Sequence, residues 1–367
     1  MKKIFIVAGE LSGDRVGAWY VKKFLHEDVS IEAVGGDFLQ KAGVNIFHRF
    51  EDLNVTGVVE VVKKLPFIFK FLKRLATYIV DNAFDEVILV DFPGFNLMLA
   101  KKLKAMVPSL VITYLSPPQL WCWGAWRAKK LKRYCNQLIV LYPFEVQWYA
   151  SRGINAYWMG SPVYDSMENF FSDADLPKQN CIAIIPGSRE SEIEQMFGFF
   201  AGVMKSFFEN YPDVTCIIPF AQSLSQAIIE QKLCDCGLEK YRERITIVCG
   251  EEQKFRALSR CCLAVCKPGT VTLELALLGV PAVILFKTSR LTYLLARPLV
   301  KVTCMSLPNL LFGSQVYKEC IQGECSVDHA FEHAQRLYQS YLSENVQYFD
   351  TQKKLIQLRD LLVGGKK

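Results

Sequence analysis

The chain has 367 residues, enough for two domains with sizeable cores, and its 51% hydrophobic and 22% charged residues are those of an ordinary globular protein, which excludes disordered and fibrous classes. The net charge of +6 is lopsided: residues 1–170 hold 21 Lys and Arg against 16 Asp and Glu, and the remainder holds 22 against 21. A pI near 8.6 suits nucleic acid, anionic lipid or a phosphorylated substrate without choosing among them.

MKKIFIVAGE starts like a signal peptide, but Glu10 cuts its apolar run short and no cleavage site follows, so it reads as a first strand. After it, short β-branched runs alternate with helical patterns: IEAVGG, EVILVDFPG, SLVITYLSP and NQLIVLYPF, with DRVGAWYVKKFLHE among the helices. Continuous apolar strands separated by helices predict a parallel sheet covered on both faces. A polar stretch, SMENFFSDADLPKQN, follows, and the rhythm restarts with CIAIIPGSR, VTCIIPF, RITIVCG, CCLAVCKPG and PAVILFK. The expected fold is α/β, two Rossmann-like doubly wound domains facing a cleft. The expected boundaries are 1–165, a linker at 166–180, a second domain at 181–345 and a helical tail at 346–367 able to cross back. No segment has the 18 or so apolar residues of a membrane-spanning helix. The 13 cysteines are an odd count and none precedes Cys122, which predicts reduced thiols and a cytoplasmic protein.

In open α/β sheets ligands bind beyond the carboxyl ends of strands, so the residues after each apolar run are the candidates. AGELSGDRVG follows the first strand. Its spacing is not that of a dinucleotide fingerprint, but its small residues and the next helix's amides form an anion or hydroxyl site, with Glu10 and Ser12 as candidate ligands. EVILV delivers Asp91, followed by Pro93, Gly94 and Asn96. It is placed to be a general base at the cleft, with Asn96 as a polar neighbour, or else the N-cap of the helix starting near Phe95.

In the second half, Gly187, Ser188 and Arg189 lie between strand and helix, where exposed amides and a guanidinium fork suit a phosphate. Gly269 and Thr270 open another helix, and Glu274, one turn on, is placed for ribose hydroxyls. Two such loops without a Walker lysine indicate a nucleoside diphosphate used as a leaving group. No metal and no cofactor are expected. HAFEH at His329–His333 has an inverted zinc-protease spacing with too little chain after it, and Asp173 and Asp175 read as a solvated DxD.

On a helical wheel, Phe67, Ile68, Phe69, Phe71, Leu72, Leu75, Ala76, Tyr78, Ile79 and Val80 span roughly 220°, more than the ~100° stripe a core needs. With Lys63, Lys64, Lys70, Lys73 and Arg74 alongside, this segment reads as a helix resting on an anionic bilayer or admitting an acyl chain; burial on two sides is the alternative. Trp121, Trp123 and Trp126 precede a basic run, but no RNA-binding signature accompanies them and no nucleic-acid partner is expected.

Taken in order, AGELSGD, Gly35-Gly36, DFPGFN, SPPQLWCW, PGSR, GTVTLE and SLPNLL resemble the lipid-A-disaccharide synthases, glycosyltransferases of the GT-B architecture. The resemblance runs along nearly the whole chain. It implies an inverting, metal-independent transfer of 2,3-diacylglucosamine from UDP-2,3-diacylglucosamine to 2,3-diacylglucosamine 1-phosphate. It further implies Asp91 as the base, Arg189 and Glu274 as UDP ligands and Asn309 as a further donor-site residue. Peripheral association with the inner membrane, as a step in outer-membrane biogenesis, also follows from it, with a homodimer left open. Ser161 and Pro268 stand where that family usually has His and Ser, and WCWGAWR departs from its WAWR spacing. A UDP-N-acetylglucosamine 2-epimerase and a nucleotide-sugar-binding protein are the competing readings.

Overall fold

A computed structural model describes residues 1–25, 28–53, 58–221 and 224–363, without the side chains of 52–64. The chain forms two compact units, Met1–Pro162 and Val163–Lys367.

The first unit runs β1 (Lys2–Ala8), α1 (Leu11–Phe24), β2 (Val29–Gly35), α2 (Asp37–Lys41), β3 (Asn45–Arg49), α3 (Val58–Asp81), β4 (Glu86–Val90), α4 (Pro93–Met106), β5 (Val111–Leu115), α5 (Ala128–Tyr134), β6 (Gln137–Val140), α6 (Pro143–Ala150) and β7 (Ala156–Trp158). Its seven strands lie in the order β3-β2-β1-β4-β5-β6-β7, and every pairing is parallel. Successive strand residues go to opposite faces. Phe5, Val7, Val87 and Leu89 therefore join one core with α3 and α4, while Ile4, Ile6, Ile88 and Val90 join another with α1. This is why the strands are apolar throughout.

α7 (Pro162–Met167) straddles the boundary to the second unit and α8 (Phe171–Ala174) follows; with the 3-10 turn Glu168–Phe170 between them, most of the stretch expected as a linker is helical. Then follow β8 (Gln179–Ile185), α9 (Glu190–Asn210), β9 (Thr215–Phe220), α10 (Gln226–Asp235), β10 (Ile245–Cys249), α11 (Glu251–Arg260), β11 (Cys261–Cys266), α12 (Thr270–Leu277), β12 (Ala282–Phe286), α13 (Arg290–Ala296), α14 (Leu307–Phe312), β13 (Lys318–Ile321), α15 (Val327–Leu342), α16 (Val346–Ile356) and α17 (Leu358–Leu362). Its parallel sheet repeats the first topology, β10-β9-β8-β11-β12-β13. Along α9, Ile193, Met196, Phe197, Phe200, Met204 and Phe207 recur at helical spacing and are buried in its core. The closing helices are tied to this same unit: Tyr348 donates its hydroxyl to the Cys262 carbonyl at 2.6 Å, and Arg359 donates to that of Leu277 at 2.8 Å.

In both sheets the strand order reverses once, between β1 and β4 and between β8 and β11. That reversal opens a crevice at the carboxyl ends, where α/β sheets bind ligands. No helix among the described residues is long and apolar enough to cross a membrane.

Candidate active site

In the first unit β1 and β4 are paired with Ala8 opposite Val90, so AGELSGD and DFPGFN leave the sheet side by side. Asp91 and Phe92 both take left-handed backbone, with φ of 47° and 46°. Such bends cost about 1–3 kcal/mol each in a residue other than glycine, and surrounding contacts must hold them. Here they do: the Asp91 amide donates to Leu115 at 3.1 Å, and its carbonyl accepts from the Tyr114 hydroxyl at 2.7 Å and the Asn96 amide at 2.8 Å.

The bend leaves the Asp91 carboxylate half-buried, accepting from the Phe92 amide and the Ser12 hydroxyl. Burial pushes its pKa above the ordinary carboxylate value, and the two hydrogen bonds restrain the rise. No side-chain bond caps α4, so Asp91 does not cap it. Glu10 occupies the N-cap position of α1, with Ser12 in that helix's first turn. Gly9 has to be glycine, since a Cβ there would lie 2.2 Å from the Phe92 ring. Asn96 is fully buried and its amide reaches the carbonyls of Val7, Val90 and Asp91 at 3.4, 3.2 and 2.8 Å. Its polar reach is directed inward, fixing Asp91 through the backbone.

Asp14, in the same opening motif, has a role that sequence reasoning missed. It is wholly buried and accepts from the amides of Gly36, Phe38 and Leu39 at 2.7, 2.9 and 3.3 Å. A Cβ on Gly35 would meet Leu39 at 2.6 Å, and one on Gly36 would meet Phe50 at 2.4 Å. The opening motif and the paired glycines are therefore two halves of one lock holding α1 to the β2–α2 turn.

In the second unit β8 and β11 pair with Cys266 opposite Ile185, which brings PGSR and CKPGT together. Gly187 has φ 145°, and a Cβ there would lie 2.6 Å from Glu192 Oε2. That carboxylate accepts from the amides of Ser188 at 3.0 Å and Arg189 at 3.4 Å; its other oxygen lies 2.7 Å from Lys267 Nζ and 3.7 Å from Arg189 Nη1. Burial pushes the Glu192 pKa up, but Lys267, the Ser188 amide and Arg189 outweigh it and hold the carboxyl below its ordinary value. The first amides of α9 thus hold an internal carboxylate, with Lys267 and Arg189 beside it. Lys267 was not among the sequence candidates; its signal was its place directly after a buried strand.

Gly269 and Thr270 are exposed at the start of α12. Glu274 on that helix is nearly buried, with Lys254 Nζ 2.8 Å from its Oε2. Asn309 lies deeper: its amide donates to Tyr317 O at 2.9 Å and Glu319 Oε1 at 2.7 Å, and its oxygen accepts from the Val316 and Tyr317 amides, both at 2.8 Å. It braces the loop entering β13.

The remaining motifs fall elsewhere. Asp173 and Asp175 pair with Arg256 and Arg359 at 3.2 and 3.3 Å. His329 and His333 lie on α15, and no group of three metal-ligating side chains occurs among the described residues. Trp121 is buried and donates to Glu145 at 2.8 Å, while Trp123 and Trp126 are exposed. All thirteen cysteines are free thiols.

A family model described as lipid-A-disaccharide synthetase matches residues 4–362. The lipid-A-disaccharide synthase of Geobacter metallireducens is 32% identical, covering 99% of this chain and 94% of its own. That of Geobacter sulfurreducens is 33% identical over 89% and 85%. Among solved structures, a putative UDP-N-acetylglucosamine 2-epimerase from Listeria monocytogenes superposes with a TM-score of 0.63 at 12% identity, covering 100% of this chain and 93% of that one. At that identity the likeness speaks for the architecture alone, two Rossmann-like domains.

Proposed function

Since the chain belongs to the lipid-A-disaccharide synthase family, it is a glycosyltransferase of lipid A disaccharide synthesis, and we propose how its residues divide the work. The transfer joins the sugar of UDP-2,3-diacylglucosamine to 2,3-diacylglucosamine 1-phosphate and releases UDP. Asp91 takes the proton of the acceptor's 6-hydroxyl as that oxygen attacks the anomeric carbon. The bond from that carbon to the diphosphate breaks on the opposite face, and its electron pair leaves with UDP, so the configuration inverts.

The observation that carries this reading is the Asp91 turn: a strained bend at the sheet's reversal point, holding a half-buried carboxylate with its pKa raised and Ser12 on it. A base of raised pKa suits proton transfer near neutrality. In the second unit, Gly187, Ser188, Arg189 and Lys267 receive the diphosphate, with Gly269 and Thr270 on the neighbouring turn. Preorganised donors there stabilise the charge that develops on the leaving group, the work a metal does elsewhere. Glu274, held by Lys254, takes the ribose hydroxyls. Glu10 and Ser12 line the acceptor side, and Asn96 and Asn309 act from behind as positioning residues.

The acyl chains of both substrates reside in a bilayer, and we assign the peripheral contact of the first unit to the stretch of α3 from Leu65 to Arg74. Leu65, Phe67 and Phe69 are 38%, 43% and 54% exposed, and Lys70, Lys73 and Arg74 are exposed beside them. Phe71, Leu72, Leu75, Ala76 and Ile79, further along, belong to the core, so among the described side chains the apolar surplus lies at Leu65, Phe67 and Phe69. The side chains of Lys63 and Lys64 lie outside the described residues.

Two variants test the division of labour. Asp91→Asn should lose turnover while binding UDP as the parent does, and Arg189→Ala should weaken UDP binding while leaving the fold intact. An Asp91→Asn enzyme with near-parental turnover refutes the base and makes Glu10 the next candidate.

A further inference from the structure

Between β12 and α14 the chain makes an excursion that its own unit does not cover. From Lys287 to Met305 no residue is buried. Leu291, Leu294 and Leu295 on α13 are 69%, 67% and 64% exposed, and Leu299 and Val300 beyond it are 47% and 40% exposed. At 100° per residue the three α13 leucines share one ~100° face, with Arg290 and Arg297 on the adjoining flank. The ends are fixed. Thr288 exchanges two hydrogen bonds with Gln322, at 3.0 and 2.8 Å, and the Met305 and Ser306 amides donate to Glu319 at 2.8 and 3.0 Å. The surface is therefore presented, clamped at its base, rather than frayed.

Its charge is one-sided. No Asp or Glu occurs between Glu274 and Glu319, and Lys287, Arg290, Arg297 and Lys301 all fall on the excursion. Soluble proteins rarely leave contiguous leucines in water without a partner. An apolar face flanked by cations, with no acid within the excursion itself, is the chemistry of a helix lying in an anionic lipid interface.

We propose that the Lys287–Met305 excursion is a lipid-docking surface of the second unit, its occupant an anionic bilayer surface. It leaves the same edge of the sheet as the turns after β8 and β11, because the three strands are parallel neighbours. Docking there sets the anion-binding turns beside the membrane in which the donor's acyl chains lie. The proposal rests on the acylated-substrate reading for its purpose and on exposure and charge for its location.

The test uses the full chain and vesicles of phosphatidylcholine with or without phosphatidylglycerol. The combined variant Leu291→Ser, Leu294→Ser and Leu295→Ser should bind anionic vesicles about tenfold or more weakly, since each leucine contributes apolar burial to interfacial binding. Arg290→Glu with Arg297→Glu should abolish the preference for anionic over neutral vesicles. Both should keep UDP affinity and melting temperature, which separates lost docking from misfolding. Parental vesicle binding by the leucine variant overturns the proposal while leaving the α3 contact standing. A parent that binds no vesicles overturns both membrane contacts but not the transfer reaction. Loss of self-association in the leucine variant, with vesicle binding unchanged, makes this face an interface between copies and overturns it as well.

Discussion

Lys267 and Glu192 are joined at 2.7 Å across the two turns where the second sheet reverses, and the carboxylate so held also fills the amides at the start of α9. In the proposed site an incoming diphosphate and this carboxylate seek the same donors. Lys267→Met should therefore weaken UDP binding about tenfold or more, a charge-assisted hydrogen bond contributing ~1.5–3 kcal/mol. Glu192→Gln should bind UDP at least as tightly as the parent but be less stable above the ordinary carboxylate range. The sign follows from its lowered pKa: the stability is present above the ordinary value of 4.5 and is lost as pH falls through the lower folded one. Calorimetric UDP titrations and melts at two pH values check both; unchanged UDP affinity in Lys267→Met removes that residue from the site.

Asp91 predicts an acid limb in the pH profile of turnover. As the proposed base it works ionised, and burial raises its pKa, so activity should fall at a pH above the ordinary carboxylate value as acid is added. The Ser12 hydroxyl lowers that pKa, so Ser12→Ala should move the limb to higher pH while the neutral plateau changes less. A limb that stays in place separates Ser12 from the carboxylate.

The same burial makes Asp91 a cost to the fold. A raised folded pKa favours the protonated form, and the stability it confers is lost as pH rises from the ordinary value through the folded one. Asp91→Asn should thus melt at or above the parental temperature at neutral pH, while turnover falls by about 10²–10⁴. A variant losing stability and turnover together indicates a structural aspartate.

Asp14 is the contrasting case. The Gly36 and Leu39 amides are buried with it and that of Phe38 is half-buried, so Asp14→Ala leaves buried donors unsatisfied at ~1–3 kcal/mol each and should sharply lower the melting temperature of the first unit. A parental melting curve contradicts the lock.

Excess EDTA should leave turnover unchanged, because in the proposed site the amides of α9, Arg189 and Lys267 supply the positive potential that the departing UDP needs. Loss of activity restored by Mg²⁺ contradicts this.

Much of this was legible in the chain itself. The strands were, because burial on both faces makes them apolar throughout, and so were the turns after β1, β4, β8 and β11, because ligand sites follow such strands. What pattern could not supply was direction. Asn96 and Asn309 lie in the expected motifs, yet their amides point into the fold, and spacing does not record where a side chain turns. The wheel for α3 counted apolar residues without showing that Phe71 to Ile79 pack against the sheet. Lys267 and Glu192 meet only because β8 and β11 are neighbours, a pairing made by topology. The α13 leucines carry no helical pattern long enough to stand out, and their exposure emerges only in three dimensions.

The most direct test is product analysis. The protein is incubated with UDP-2,3-diacylglucosamine and 2,3-diacylglucosamine 1-phosphate, and lipid and nucleotide products are followed together by mass spectrometry and NMR. The account predicts one β-1′,6-linked disaccharide 1-phosphate per UDP released, with the rate collapsing in Asp91→Asn. UDP release without disaccharide, or epimerisation of UDP-N-acetylglucosamine in place of transfer, contradicts it.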